Sequence, residues 1–220
     1  MNKICNQYLN SDITQLNIQF GLAESLSLFE RYELLSLLNT SYPHWNIEDI
    51  FEDYCSYQSL YIFRLRNTKG ILIASRQIFI ADNPVIAPLW AQDISDKTSL
   101  KRFAIGSRAI VHPDLRGLGL GTRLVQQANN LAYNNHNLNT VLGSSTSLSA
   151  IKLYLRLGAK LWRDDVNTFN LYNKNTHHKQ STRMSQPFHY IYHQPDLNRV
   201  KENFLYSPQK NCTNEHHIIT

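Results

Sequence analysis

The chain has 220 residues, 42% hydrophobic and 18% charged, with 22 Lys and Arg against 17 Asp and Glu for a formal net charge of +5. That length suits one domain with a real core, and the composition is ordinary for a globular protein. Three scattered cysteines (Cys5, Cys55, Cys212) form no C-x-x-C pair, which argues against a disulfide framework or a cysteine zinc site and fits a reducing compartment.

The first residues carry Asn2, Asn6, Gln7, Asn10 and Asp12 where a signal peptide would need an apolar run, and no stretch approaches the length of a membrane span. The expectation is a soluble, cytoplasmic protein. Residues 16–20 (LNIQF) read as a first strand, and the apolar positions Leu28, Tyr32, Leu35 and Leu38 mark one face of a helix over 23–39. The Ser41-Tyr42-Pro43 break stops it, and Asn46 with Asp49 suggests a short capped helix through Tyr54. A hairpin follows, Leu60 to Arg66 and Ile71 to Ile80 around the Asn67-Thr68-Lys69-Gly70 turn. Asp82 to Ser99 holds Pro84, Pro88 and many polar residues and reads as a long loop that could border an acceptor site.

The stretch from Arg102 to Thr122 (RFAIGSRAIVHPDLRGLGLGT) is the most informative. An apolar strand (Phe103, Ile105, Ala109, Ile110, Val111) turns at His112-Pro113-Asp114 into a glycine-spaced loop, and a helix with Leu124, Val125, Ala128, Leu131 and Ala132 on one face starts at Thr122. Strand, glycine loop and helix together can hold a phosphate, because backbone amides and the positive end of the helix point at one spot. The spacing fails the dinucleotide pattern G-x-G-x-x-G, and no Gly-Lys pair exists for a P-loop. It fits R-x-x-G-x-G, with Arg116, Gly119 and Gly121 in register.

Thr140 to Ser145 reads as a buried strand and Ser147 to Leu157 as a helix stopped by Gly158. Its segment from Ala150 to Ala159 (AIKLYLRLGA) is similar to A-x-x-L-Y-x-x-L-G-F. The loop and this helix, in this order, resemble the two signatures of the GNAT superfamily of N-acetyltransferases over about residues 102–162. Lys160 to Tyr172 reads as a sixth strand, Asn173 to Gln186 as a polar loop, Phe188 to Gln194 as a closing strand, and the Asn- and His-rich tail 195–220 as partly disordered. Six of the nine histidines lie beyond residue 172, including the pairs His177-His178 and His216-His217, which have no carboxylate or cysteine at ligand spacing with them, so no metal site is expected.

The resemblance implies an α/β (α+β) fold: a single GNAT domain over 1–194 with a mixed, mostly antiparallel sheet of six to seven strands. About four helices would flank a sheet splayed at the signature strand. It implies acetyl-CoA, or another acyl-CoA, as cosubstrate and an unidentified primary amine as acceptor. The pyrophosphate would sit on Arg116, Gly117, Leu118, Gly119, Leu120, Gly121 and Thr122, the pantetheine arm along the strand edge at Ile110 and Val111, and Ser147 would take the place of a cofactor-contacting asparagine. Tyr154 matches the general acid that protonates the departing thiolate, while Ile105 stands where some members carry a glutamate base. Glu52, Asp93 and Asp96 are other carboxylates that could serve.

Between Lys101 and Arg123 five basic residues (Lys101, Arg102, Arg108, Arg116, Arg123) face one acid, Asp114, which suits a polyanionic cofactor without requiring nucleic acid. Two other readings stay open: a non-catalytic acyl-CoA-binding module, motivated by the missing base, and an acyltransferase acting on nucleic acid, motivated by the charge. A monomer or homodimer without membrane attachment is expected.

Overall fold

A computed structural model describes residues 16, 18–41, 59–162 and 183–194. The expected helix at 46–54 with Glu52, the strand beyond residue 162, the tail and the three cysteines lie outside these residues. Along the chain run β1 (Ile18–Leu22), α1 (Leu28–Asn39), β2 (Leu60–Arg66), β3 (Leu72–Ala81), α2 (Leu89–Thr98), β4 (Phe103–Val111), α3 (Leu120–Asn130), β5 (Thr140–Ser147), α4 (Leu148–Arg156), β6 (Lys160–Leu161) and β7 (Arg183–His193). The seven strands form one sheet in the order β1-β2-β3-β4-β5-β7-β6. Every neighbouring pair is antiparallel except β4 with β5, which the α3 crossover makes parallel.

Alternation along the central strands sorts the core into two layers. Ala74, Ile78, Ala104, Val141, Tyr190 and Tyr192 pack under α3 and α4, while Phe79, Phe103, Ile105, Leu142 and Ile191 belong to the layer under α1 and α2. Helix α1 starts at a full capping box: Ser27 Oγ accepts from the Glu30 amide and Glu30 Oε2 accepts from the Ser27 amide at 2.9 Å. Glu30 then pairs with Arg64, and Glu33 with Arg66 at 2.6 Å, fastening α1 to β2.

The pairing of β4 with β5 lasts only three residues, Ala104↔Val141, Ile105↔Leu142 and Gly106↔Gly143. Beyond Gly106 the strands part. The β3–β4 register shifts between Ser75 and Gln77, and Arg108 takes a positive φ of 44°, the bulge that bends β4 away. Each arm of the resulting fork keeps its outer partner: Ser75↔Ile110 and Ala74↔Val111 on one side, Ser144↔His189 and Ser145↔Phe188 on the other.

Three expectations need correction. The 82–99 stretch is not a loop: a 3-10 turn at Pro84–Ile86 leads into α2, whose Ala91, Ile94 and Ser95 are buried. Its prolines stand before helical turns, where a missing N–H costs nothing. The helix expected over 23–39 is split, with a 3-10 turn at Ala23–Ser25 before the Ser27 cap. Lastly, β7 begins at Arg183, inside the stretch read as loop. The register breaks between Ser145 and Ser147, so the polar 183–187 stretch joins the sheet across an irregularity that apolar alternation does not report.

Candidate active site

The loop after β4 is open. Arg116, Gly117, Leu118 and Gly119 are exposed, whereas Leu115 and Leu120 on either side are buried and pin its ends. Gly117 (φ 86°) and Gly119 (φ 79°) are both left-handed, which a side chain would resist although nothing lies within 4 Å of either Cβ position. Gly119 is the N-cap of α3 and supplies no side chain to cap it. The first-turn amides of Leu120, Gly121 and Thr122 therefore emerge toward solvent with the positive end of the helix behind them. Arg116 does not reach over this nest. Its Nε donates to the Val111 carbonyl at 3.2 Å and its Nη2 to Ser41 Oγ at 2.5 Å, so the side chain braces the loop against the end of β4.

Ile110 is buried in the layer under α1 and Val111 packs on the opposite layer, both on the arm of the fork that has left β5. Gly121 joins this arm to α4, since a Cβ there would lie 3.4 Å from Leu153 Cδ2 and 3.7 Å from Val111 Cγ2. Ser147 is the N-cap of α4; its hydroxyl accepts from the Ala150 amide at 3.4 Å and bonds Ser149 at 2.9 Å. That is a helix-capping role, about 10 Å along the helix from Tyr154 at 1.5 Å per residue.

Tyr154 is buried at the far end of α4, its ring tilted by 31° against Tyr190 with centroids 4.4 Å apart. Tyr190 closes the base of the fork. Its ring covers Gly143, its hydroxyl lies 3.5 Å from the Gly106 carbonyl, and it hydrogen-bonds Tyr154. From β3, the Arg76 guanidinium lies against Gly106, 5.7 Å from the Tyr154 ring centroid. Tyr192 secures the helix end by donating to the Tyr154 carbonyl at 3.2 Å. Burial pushes the Tyr190 phenol well above its ordinary value, the neighbouring Tyr154 adds to the rise, and the Arg76 charge opposes it. The last parallel pair of the sheet, Gly106↔Gly143, is thus floored by an arginine and two tyrosines.

Of these residues only Tyr154 stands out from sequence. Arg76, Tyr190, Gly106 and Gly143 go unnoticed, although a lone glycine inside an apolar strand is a signal of close approach. Ile105 is buried under α1 and α2, and β4 carries no carboxylate. Asp93 pairs with Lys97 at 2.8 Å, and Asp96 lines a depression with Asp82 and Lys101, before β4 begins. The basic surplus is partly engaged within the fold: Arg102 pairs with Asp82 and Arg108 donates to Gln77.

The described residues contain no cluster of three or more His, Cys, Asp or Glu able to hold a metal, and no helix among them is long and apolar enough to cross a membrane.

A model of the acetyltransferase (GNAT) domain matches residues 74–158, from β3 through α4, and so includes both signature stretches. An acyl-CoA N-acyltransferase from Pseudomonas aeruginosa superposes with a TM-score of 0.53 at 15% identity, covering 80% of this chain and 99% of its own. FeeM, an N-acyl amino acid synthase from uncultured soil microbes, gives 0.57 at 14% identity over 81% of this chain and 91% of its own. An IAA acetyltransferase from Bacillus cereus gives 0.54 at 14% identity, over 82% of this chain and all of its own. No protein of curated function matches significantly in sequence. The class that the domain match defines is the N-acyltransferases, on the mixed, forked sheet described above. Residues 74–158 of the chain match the GNAT acetyltransferase domain, and the sheet and helices around them have the fold of that superfamily's N-acyltransferases.

Proposed function

We propose that this protein transfers an acetyl group from acetyl-CoA to a primary amine, with Tyr154 as the general acid. The observation that carries the reading is the position of the Tyr154 ring, packed against the tyrosine that closes the β4–β5 fork. The open amides of residues 116–122 would take the diphosphate. The free edge of β4 at Ile110 and Val111 would take the pantetheine amides as an added strand, which points the thioester into the fork. Alignment of this kind supplies about 7–11 kcal/mol of the barrier where it is good.

The amine nitrogen then attacks the carbonyl carbon, a C–N bond forms and the C–S bond breaks with its electron pair on sulfur. Tyr154 gives its phenolic proton to that sulfur, and the amine gives up its own proton to solvent. With no carboxylate on β4, the amine arrives neutral, loses its proton through water, or meets a base carried elsewhere in the chain. FeeM makes N-acyl amino acids, so longer acyl chains and amino-acid amines belong among the substrates tried.

The test is mass spectrometry of cell extract incubated with isotopically labelled acetyl-CoA, with and without the protein, which identifies whatever gains the label. Tyr154→Phe should leave acyl-CoA affinity unchanged and lower kcat at least about tenfold. Unchanged turnover would reduce Tyr154 to a packing residue. Acyl-CoA binding without thiol release against a broad amine panel would make the protein a binding module instead.

A further inference from the structure

Arg76 has no solvent exposure. Its Nε and Nη1 have no hydrogen-bond partner, and Nη2 reaches only Asn129 Oδ1, at 3.5 Å. It takes part in none of the ion pairs found among the described residues. A guanidinium keeps its charge in a protein interior, and holding it there without a countercharge costs several kcal/mol. The site is nonetheless built around it. Gly106 leaves the space that the guanidinium fills, with Arg76 Cζ 3.0 Å from where a Cβ would stand, and the Tyr154 ring lies over it. Against that ring stand Arg76 from β3 and Tyr190 from β7, with Tyr192 edge-on to Tyr190 and Tyr133 in the same core layer. Burial pushes the Tyr133, Tyr190 and Tyr192 phenols above their ordinary value, so Arg76 is the charged member of the group at neutral pH. Arg76 is thus a buried cation at the floor of the fork, without a countercharge among the described residues.

We propose that Arg76 is a positioning residue that stabilises the CoA thiolate through the Tyr154 ring, an inference that rests on the CoA reading above. When the C–S bond breaks, the electron pair stays on sulfur, and the phenol of Tyr154 first donates a hydrogen bond to it and then its proton. The negative charge passes to the phenol oxygen, which regains a proton from solvent after release. Throughout, the guanidinium beside the ring faces the charge, and the hydrogen bond between Tyr154 and Tyr190 keeps the phenol in place. Arg76 itself touches neither substrate, because the ring stands between.

CoA alone is the probe, so no acceptor is needed. Ultraviolet absorbance of the thiolate, followed against pH with full-length protein in excess, gives the titration of the bound thiol. In the wild type it should fall at least about one pH unit below that of free CoA, a tenfold preference for the thiolate. Arg76→Met should abolish the shift, and Arg76→Lys should keep at least half of it. Affinity for CoA at neutral pH, where the thiol is protonated, should stay within about threefold, read by calorimetry. If Arg76→Met does not fold, the same-sized Tyr154→Phe takes its place, because the effect runs through that phenol. A wild-type thiol that titrates like free CoA, or a shift that survives either variant, overturns the proposal while leaving CoA binding intact. A wild type that does not bind CoA overturns both this proposal and the functional reading beneath it.

Discussion

Gly143→Ala tests the geometry of the fork with one methyl group. In an ordinary strand position the change would stabilise the protein by about 0.5–1 kcal/mol, since alanine loses less backbone freedom on folding. Here the new Cβ would overlap Tyr190 Cζ and its hydroxyl, and Cε2 would be 2.6 Å away. The ring has little room to retreat: Tyr190 is 1% exposed, the tilted Tyr154 ring packs against it at 4.4 Å, and Tyr192 meets it edge-on at 5.7 Å. Overpacking of this kind costs about 1–3 kcal/mol. Loss of the long hydroxyl contact with Gly106 adds about 0.5 kcal/mol. After subtraction of the backbone gain, a net destabilisation of about 0.5–3 kcal/mol is expected, opposite in sign to the ordinary case. Urea denaturation at constant m-value measures it. Tyr190→Leu should relieve the overlap, so the double variant should be more stable than the sum of the two singles by at least about 1 kcal/mol. A stabilised Gly143→Ala, or a double variant that is strictly additive, would refute this account of the fork.

Other outcomes follow from the same contacts. Gly119→Ala must hold φ near 79° to keep the nest open, at a conformational cost of about 1 kcal/mol that should appear as roughly fivefold weaker CoA binding by calorimetry. Gly121→Ala adds a methyl only at ordinary contact distance from Leu153 and Val111, so it should change both stability and CoA affinity by less than about 0.5 kcal/mol. Ser27→Ala removes the α1 cap and should cost about 1 kcal/mol by urea denaturation. Burial opposes ionisation of Glu30, but hydrogen bonds from the Ser27 amide and hydroxyl and from Arg64 outweigh it and hold the carboxyl below its ordinary value of 4.5. With the folded value depressed, its stabilisation is complete above about pH 4.5 and is lost as pH falls through the folded value. Denaturation midpoints measured from pH 6 downward (about one unit and more above the carboxylate range) should therefore decline less steeply in Glu30→Gln than in the wild type.

What could be read from the sequence and what could not divide along the physics of locality. The loop and helix signatures are contiguous: glycines at 117, 119 and 121 and apolar residues at helical spacing in α3 and α4 encode their own geometry, and the structure has both. Helix α2 was equally local but was obscured by its polar surface, since Trp90, Ala91 and Ile94 carry its packing face between Gln92, Asp93 and Asp96. The floor of the fork is a different case. Arg76, Gly106, Gly143 and Tyr190 stand on four strands and meet only because the sheet runs β3-β4-β5-β7. The two glycines signal close approach without saying of what, and an arginine in an apolar strand reads as one polar position among several.

Yet their fit is mutual. Each glycine lies under a side chain that a Cβ would displace, and each of those side chains adjoins the Tyr154 ring. Close packing alone would be met more cheaply by an alanine at 106 and a leucine at 76, because that core would bury no charge. A fold that keeps glycine and arginine at those positions gives up stability at the point where its two central strands separate. A stability cost placed where the central strands separate is a mark by which a working site differs from scaffold. The same comparison makes Gly106→Ala with Arg76→Leu the converse experiment: the pair should raise the urea midpoint above that of wild type while thiol release falls with Tyr154 left in place. A pair that is less stable than wild type would mean that Arg76 belongs to the scaffold after all.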